Sequence, residues 1–171
     1  MPKKKRSNAR QRAIKALDKE FSLFIRYRNL DEQGNAECYT CGKRDHPRSL
    51  QCGHFASRRY LSTRWHEDNC RVQCVGCNIY RQGEQYRFGR KLDAEDKGLA
   101  DRILEQSQQK ASYTITELER LTWQYKQRNE RLINGEAFDD GGQRNRGGRA
   151  TARRAAKRPV KRKVQKRQKK G

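Results

Sequence analysis

The chain has 171 residues, of which 42 are Lys or Arg and 20 are Asp or Glu, and its formal net charge is +22. This length accommodates one compact domain with extensions. No run approaches the roughly 18 apolar residues of a membrane span, and the basic N-terminus lacks the apolar segment of a secretory signal. We therefore expect a protein of the cytoplasm, where six cysteines favour metal binding over disulfides.

The positive charge is concentrated at the two ends of the chain. Residues 1–15 contain seven basic and no acidic residues, and residues 141–171 contain fourteen basic and no acidic residues, so the middle is nearly neutral. Basic ends of this kind bind a polyanion, usually nucleic acid, by neutralising phosphates and releasing counterions. Tails that serve solubility or cellular targeting are the alternative interpretation.

We predict three regions: a basic N-terminal arm at 1–15, a folded domain at 16–140 and a basic tail at 141–171. The tail has almost no large apolar residues and cannot bury a core, so we expect disorder until it meets its partner. Its candidate DNA contacts are Arg153, Arg154, Lys157, Arg158, Lys161, Arg162 and Lys163.

The first predicted element is an amphipathic helix over 9–29, which ends at the turn-forming residues 31–35. Its apolar positions recur at steps of three and four residues and are Ile14, Leu17, Phe21, Phe24 and Ile25. The next segment, 36–78, contains all the cysteines and histidines. We predict short strands there, with tight turns at the cysteines.

Helices are also predicted in the second half of the chain. Residues 84–109 have helical character that Gly89 and Gly98 interrupt. A last helix starts near Thr114, because Thr114 and Glu117 have the spacing of a capping box. Its apolar stripe predicts core packing or the seam of a homodimer, and is formed by Leu118, Leu121, Tyr125 and Leu132.

Two C-x-x-C motifs predict a metal site, Cys38-Tyr39-Thr40-Cys41 and Cys74-Val75-Gly76-Cys77. Two intervening residues let one tight turn direct both thiolates at a single tetrahedral ion. Four thiolates fill the shell of Zn²⁺ and leave no position for water, so this zinc would be structural and would stabilise the fold. Exchange of one ligand for Cys52, Cys70 or a histidine stays open; otherwise Cys52 and Cys70 are small buried side chains on paired strands.

The residues between the two motifs predict a strand, a loop, a second strand and a helix. His54 ends the first strand, Asn69 opens the second, and Asn78 opens the helix, directly after the last cysteine. The polar loop 55–68 joins the strands. Its candidate contacts to a phosphate backbone are Arg58, Arg59 and Arg64.

This order resembles the HNH (His-Me finger) nuclease motif, with His54, Asn69 and Asn78 at its three positions. The four-cysteine frame is similar to that of phage junction-resolving nucleases of the endonuclease VII kind. Segments 37–42, 51–54 and 65–78 resemble the phage NinG (Rap) recombination family, and this likeness covers about residues 12–134. The resemblance implies an α+β fold: a small ββα-metal core with structural zinc, flanked by helices.

The resemblance also implies a role for each matching residue. His54 would be the general base that takes a proton from the attacking water, and Asn69 would brace the loop and orient His54. Asn78 would help to hold one divalent cation, Mg²⁺ or alternatively Mn²⁺, which would stabilise the leaving 3′ oxygen.

One position departs from many HNH nucleases. They carry Asp immediately before the base, as a metal ligand, whereas this chain has Gly53. NinG-like sequences are similar in this respect, so the glycine does not imply inactivity. The second ligand stays open among His66, Glu67 and Asp68. Asp68 is our choice, and a turn residue that caps the strand is its alternative.

We therefore expect an endodeoxyribonuclease of phage recombination that hydrolyses phosphodiester bonds in a bacterial host's cytoplasm. The family implies branched DNA, such as Holliday junctions or D-loops, and no small-molecule substrate or membrane partner is expected. Two symmetric cuts would require a homodimer. The alternative is a non-catalytic zinc protein that binds nucleic acid, and a ribosome-like basic protein would explain the tails alone.

Overall fold

Helix α1 (Ala9–Tyr27) is the first element of the computed structural model, which describes residues 8–134. The Asn8 side chain caps it by accepting a hydrogen bond from the Gln11 N–H at 2.8 Å. The helix confirms the prediction over 9–29 and ends two residues earlier. Ala13 is already buried in the core, so packing begins before the predicted domain boundary at residue 16. The tail at 141–171 lies outside the described residues.

Two small antiparallel sheets follow α1. Strand β1 (Ala36–Glu37) pairs with β2 (Arg44–Asp45) around the first C-x-x-C motif. After a 3-10 turn at Pro47–Ser49, strand β3 (Leu50–His54) pairs with β4 (Cys70–Cys74). We call this second pair the β3–β4 hairpin and residues 55–69 its loop.

The register of the β3–β4 hairpin determines which side chains share a face. Leu50 lies opposite Cys74, Gln51 opposite Gln73, and His54 opposite Cys70. Because side chains alternate along a strand, Cys52 and His54 lie on one face and Gln51 and Gly53 on the other. The face with Cys52 and Cys70 packs on α1 as part of the main hydrophobic core.

The chain does not enter an α-helix directly after the second C-x-x-C motif. Residues Gly76–Tyr80 form a π-helical turn with Asn78 at its centre, and helix α2 spans Gln85–Glu95. The prediction that Asn78 opens a helix is therefore wrong in detail. The physical reason is that Gln82 and Glu84 both have a φ of 51°, a left-handed conformation that breaks an α-helix.

Of the two glycines predicted to interrupt the next helical segment, only one does so. Gly98 has a φ of 76° and separates α2 from helix α3 (Leu99–Ser107). Gly89 lies inside α2 without breaking it. A Cβ at this position would lie 3.2 Å from the Phe55 ring, so the glycine permits close packing of the loop on α2.

Helix α4 (Ile115–Asn134) begins at the predicted capping box. The Glu117 carboxylate accepts the Thr114 N–H at 2.7 Å, and the Thr114 hydroxyl accepts the Glu117 N–H at 3.2 Å. The apolar stripe of α4 packs on α1, with the Tyr125 ring edge-on to Phe21 at 5.1 Å between centroids. The stripe thus contributes to the core of this chain, and homodimer formation stays a prediction.

The described residues combine helices with two small sheets, which confirms the predicted α+β class at that level. A second apolar cluster joins α2 and α3 to the loop through Ala56 and Phe55. Among residues 8–134, no helix has both the length and the apolar character needed to cross a membrane.

The packing of α4 on α1 can be tested with Leu118→Ala. Leu118 is fully buried between these helices, so its removal is expected to lower the free energy of unfolding by about 2–5 kcal/mol. Leu104→Ala is the matched control, because Leu104 is 44% exposed and its loss should change stability by about 0.5 kcal/mol or less. Urea denaturation followed by circular dichroism measures both; equal losses would contradict the packing.

Candidate functional site

The four cysteines of the two C-x-x-C motifs form one cluster, as their spacing predicts. The sulfur atoms of Cys38, Cys41, Cys74 and Cys77 all lie within 4.8 Å of one another. The Cys41 and Cys74 sulfurs are 3.8 Å apart. A tetrahedral ion with Zn–S bonds of about 2.3 Å requires sulfurs about 3.8 Å apart. The four-cysteine cluster could therefore hold one zinc ion.

The surroundings of Cys38 favour its thiolate, the form that binds metal. Burial opposes ionisation of Cys38, but hydrogen bonds from the backbone at Cys74 and Cys41 outweigh it and lower the pKa of the thiol to about 6. Arg81 donates to the Cys77 sulfur at 2.9 Å and adds a positive charge. Cys41 differs from Cys38: the backbone at Lys43 lowers its pKa, but burial and hydrogen bonds with the neighbouring cysteines raise it overall to about 12.

Cys52 and Cys70 do not belong to the four-cysteine cluster. With His54 they form a second group of potential ligands, whose atoms also lie within 4.8 Å of one another. Burial raises the pKa of Cys70 well above its ordinary value, so it remains a thiol. Both cysteines pack against α1, in agreement with the interpretation as small buried side chains on paired strands.

The His54 ring is held by the backbone of the loop. Its Nε2 lies 3.0 Å from the Arg64 carbonyl oxygen. A carbonyl can only accept, so Nε2 carries the proton in this contact and Nδ1 keeps its lone pair. Burial lowers the pKa of His54 below its ordinary 6.5, and the charge of Arg58 lowers it further; the backbone at Arg64 and at Cys52 acts in the opposite direction. The imidazole is therefore neutral at physiological pH.

Asn69 closes the loop that carries Arg64. Its side-chain oxygen accepts the Ala56 N–H at 2.6 Å, and its Nδ2 donates to the carbonyls of Ala56 and Thr63, both at 3.0 Å. Asn69 is fully buried, so each of these bonds is shielded from water. The side chain acts on the loop backbone, and through it on the position of the Arg64 carbonyl.

Asp18 on α1 anchors the same loop, and sequence reasoning missed it. Its carboxylate accepts from Arg64 Nε at 2.9 Å and Nη2 at 2.6 Å, from Trp65 Nε1 at 3.0 Å and from Arg58 at 3.0 Å. Burial raises the pKa of Asp18. The hydrogen bonds and charge of Arg64, the hydrogen bond from Trp65 and the charge of Arg58 lower it overall. A lone Asp on the polar face of a helix gives no sequence signal that separates it from a solvated charge.

Glu67 joins the end of the loop to both long helices. Its carboxylate pairs with Arg28 of α1 at 3.4 Å and with Arg128 of α4, and it accepts from the Tyr125 hydroxyl at 3.2 Å. These contacts account for Glu67 as a structural residue. The Asp68 carboxylate lies 3.9 Å from His66 Nδ1 at the protein surface.

Asn78 lies at the other end of the β3–β4 hairpin from these acids. Its Nδ2 donates to Gln51 Oε1 at 2.6 Å. Asp68 precedes β4 and Asn78 follows it, and a five-residue strand separates them by about 14 Å. The structure therefore does not bring Asp68, our choice for the second cation ligand, to Asn78. It also places His54 on the α1 face of the hairpin and Gln51 on the opposite face.

The three loop arginines differ in what they can offer to DNA. Arg64 is 15% exposed in its side chain and is paired with Asp18, whereas Arg58 shares that carboxylate but is 63% exposed. Arg59 is exposed, with its guanidinium 4.6 Å from the centre of the Tyr60 ring. Contacts of all three to phosphate stay predictions, and the tail residues predicted for this role lie outside the described residues.

A surface beside Asn78 also escaped sequence reasoning. Ile79, Tyr80 and Tyr86 are exposed, the tyrosines by 80% and 76%, and the Arg90 guanidinium lies 5.8 Å from the centre of the Tyr86 ring. We call this group the exposed tyrosine surface. The available signal was two tyrosines within a strongly basic segment just after a cysteine motif, a combination suited to stacking on bases.

A protein-family model described as Bacteriophage Lambda NinG protein matches residues 2–136. The chain belongs to the NinG family. The match extends over every element from α1 to α4, so the family resemblance is confirmed, and with it membership of a group of phage recombination-related proteins. No curated protein and no solved structure matches this NinG-family chain.

Cys38→Ser is expected to abolish the binding of zinc, because a hydroxyl replaces one of four thiolates at a tetrahedral ion. Cys52→Ser is the matched control, since Cys52 lies outside the four-cysteine cluster and its loss should leave zinc content unchanged. Metal content is measured on purified protein by inductively coupled plasma mass spectrometry. Full zinc content in Cys38→Ser would contradict the assignment.

Proposed function

We propose that this NinG-family chain is a metal-dependent endonuclease that hydrolyses phosphodiester bonds in DNA, with His54 as the general base. The orientation of His54 is the observation that carries the proposal. Its Nε2 is occupied by the Arg64 carbonyl at 3.0 Å, which leaves Nδ1 as a proton acceptor. Burial keeps the ring neutral at physiological pH, the state that a base requires.

The loop contacts support a base of this kind. A water that attacks the scissile phosphorus would lose its proton to Nδ1, and the ring would become an imidazolium. That charge would be stabilised through Nε2–H by the Arg64 carbonyl, and by the negative charge of Asp18, which favours the protonated ring. Asn69 and Asp18 are positioning residues. They fix the loop so that the Arg64 carbonyl stays in place, and this carbonyl orients the His54 ring.

The order of elements also supports a ββα-metal core. Strand β3, the loop, strand β4 and the π-helical turn follow one another within the four-cysteine frame. We propose that zinc in this frame is structural, since four sulfur ligands leave no position for water. It would join the β1–β2 hairpin to the end of β4, and so fix the element that carries Asn78.

The residues around Asn78 fit a hard divalent cation, Mg²⁺ or alternatively Mn²⁺. The carboxamides of Asn78 and Gln51 offer oxygen donors of the type that these ions prefer. When bound, such an ion supplies positive charge to the phosphoryl group and the leaving oxygen.

DNA contacts would come from both sides of the hairpin. Arg59 and Arg58 are available on the loop, and the exposed tyrosine surface offers rings for unpaired bases. Unpaired bases occur at branch points, which supports branched recombination intermediates as the substrate class. Paired cuts at such a junction would need two copies of the chain.

A non-catalytic zinc protein that binds nucleic acid is the second candidate. It is favoured by the separation of His54 and Asn78 on opposite faces and at different ends of β3. It leaves without explanation the buried, neutral His54 whose Nε2 is held by the Arg64 carbonyl.

His54→Ala is expected to reduce nicking of a branched duplex in Mg²⁺ by about 10²–10⁴-fold, because the proton acceptor is lost. Binding of the same duplex should be unchanged. His46→Ala is the matched control, since His46 is exposed on a turn. Gel assays of cutting and of binding measure both properties. Pure wild-type protein that binds but cuts no DNA would favour the non-catalytic candidate.

The pH profile of cutting tests the state of His54. Its pKa lies below 6.5 because burial disfavours the charged ring, so the active neutral form should persist through neutral pH and be lost as the pH falls through that lowered pKa. The acid limb of kcat/KM should therefore have its midpoint below 6.5. A midpoint above 6.5 would show that another group is the base.

A further inference from the structure

On the face of the β3–β4 hairpin that is turned away from α1, the carboxamides of Gln51 and Asn78 are in contact, and that of Gln73 shares the same face. Gln51 of β3 lies directly opposite Gln73 of β4, so their side chains share this face. Asn78, from the π-helical turn, donates to Gln51 Oε1 at 2.6 Å. Gly53 shares the same face two residues further along β3.

Gly53 makes the room that Gln73 occupies. A Cβ at position 53 would lie 2.1 Å from Gln73 Oε1 and 2.7 Å from its Cδ, so any side chain there would displace the Gln73 carboxamide. The carboxamide oxygen of Gln73 thus lies where the side chain of residue 53 would otherwise begin. The observed position of the Gln73 side chain therefore requires glycine at position 53.

The orientation of the Gln73 carboxamide is fixed. Its Nε2 donates to the Gly83 carbonyl at 2.8 Å and to the Thr40 hydroxyl at 3.2 Å. A carbonyl only accepts, so the nitrogen must face Gly83 and Oε1 must face Gly53. Gln73 is fully buried, and its Oε1 has no hydrogen-bond partner among the described residues. A buried acceptor of this kind is stabilised by a cation or by a water that a cation holds.

The carboxamides of Gln51 and Asn78 lie close enough together to share one ion. Rotation of the Asn78 carboxamide by half a turn would set its oxygen beside Gln51 Oε1, where its nitrogen now lies at 2.6 Å. Adjacent ligands of an octahedral Mg²⁺, at about 2.1 Å each, are about 3.0 Å apart. Two carbonyl oxygens this close repel one another unless a cation lies between them.

We propose that Gln51 is the second protein ligand of the divalent cation, beside Asn78, and that Gln73 Oε1 accepts a hydrogen bond from a water of that ion. This assignment rests on the proposed function and takes the place of Asp68. All three carboxamides are neutral, so the protein alone attracts the ion weakly and the DNA phosphate supplies the missing negative charge. Binding of the cation is therefore coupled to binding of DNA.

The test measures Mn²⁺ binding by zinc-loaded full-length protein, from the electron paramagnetic resonance signal of free Mn²⁺. It is made with and without a branched duplex, in a His54→Ala background so that the duplex stays intact. The duplex should raise Mn²⁺ affinity at least tenfold. Gln51→Ala should remove that gain, and Gln51→Asp should tighten Mn²⁺ binding without DNA at least tenfold, by adding a carboxylate. Gln33→Ala, at an exposed turn, is the matched control and should change nothing.

Wild-type affinity in both Gln51 variants, or loss of affinity in Asp68→Ala, would overturn the assignment. Duplex cutting by wild-type protein is measured separately, so the two proposals can fail independently. If wild-type protein cuts and the Gln51 variants bind Mn²⁺ normally, the ligand assignment alone is wrong. If Gln51→Ala loses Mn²⁺ but wild-type protein cuts no duplex, the ligand assignment stands without the nuclease.

Discussion

The ion pair between Asp18 and Arg64 is the interaction on which the candidate site depends. A partly buried carboxylate keeps its charge only when donors replace the water it has lost, and Asp18 has the Arg64 guanidinium, Trp65 and Arg58. The same residue that anchors the loop to α1 by its side chain presents its carbonyl to His54. Helix packing and the protonation state of a histidine are thus coupled through one arginine.

The β3–β4 hairpin carries different chemistry at its two ends. The four sulfurs gather where β4 ends, and the histidine lies where β4 begins. Between these ends, one face is apolar and packs on α1, while the other collects carboxamides. The four-cysteine cluster and His54 are therefore connected through the two paired strands of the hairpin.

Local sequence patterns predicted the helices and strands, whereas contacts between polar residues far apart in the sequence became known only from the structure. Cysteine spacing, strand alternation and the capping box at Thr114 fix geometry within a few residues, so the four-cysteine cluster, the hairpin and α4 could be expected. The π-helical turn, the role of Asp18 and the contact of Gln51 with Asn78 depend on which side chains meet in space. The sequence showed a glycine at position 53, but not that the Gln73 carboxamide occupies the space beside it.

Asn69 closes part of the loop without separating it from the site. By fastening Ala56 and Thr63 with one side chain, it closes residues 57–62 into an excursion whose two ends cannot move apart. Arg58 lies within that excursion and still reaches the site, because its carbonyl accepts from Arg64 Nη1 at 2.8 Å and its guanidinium shares the Asp18 carboxylate. A substitution of Arg58 would therefore change the charge beside His54 and one anchor of the loop at the same time.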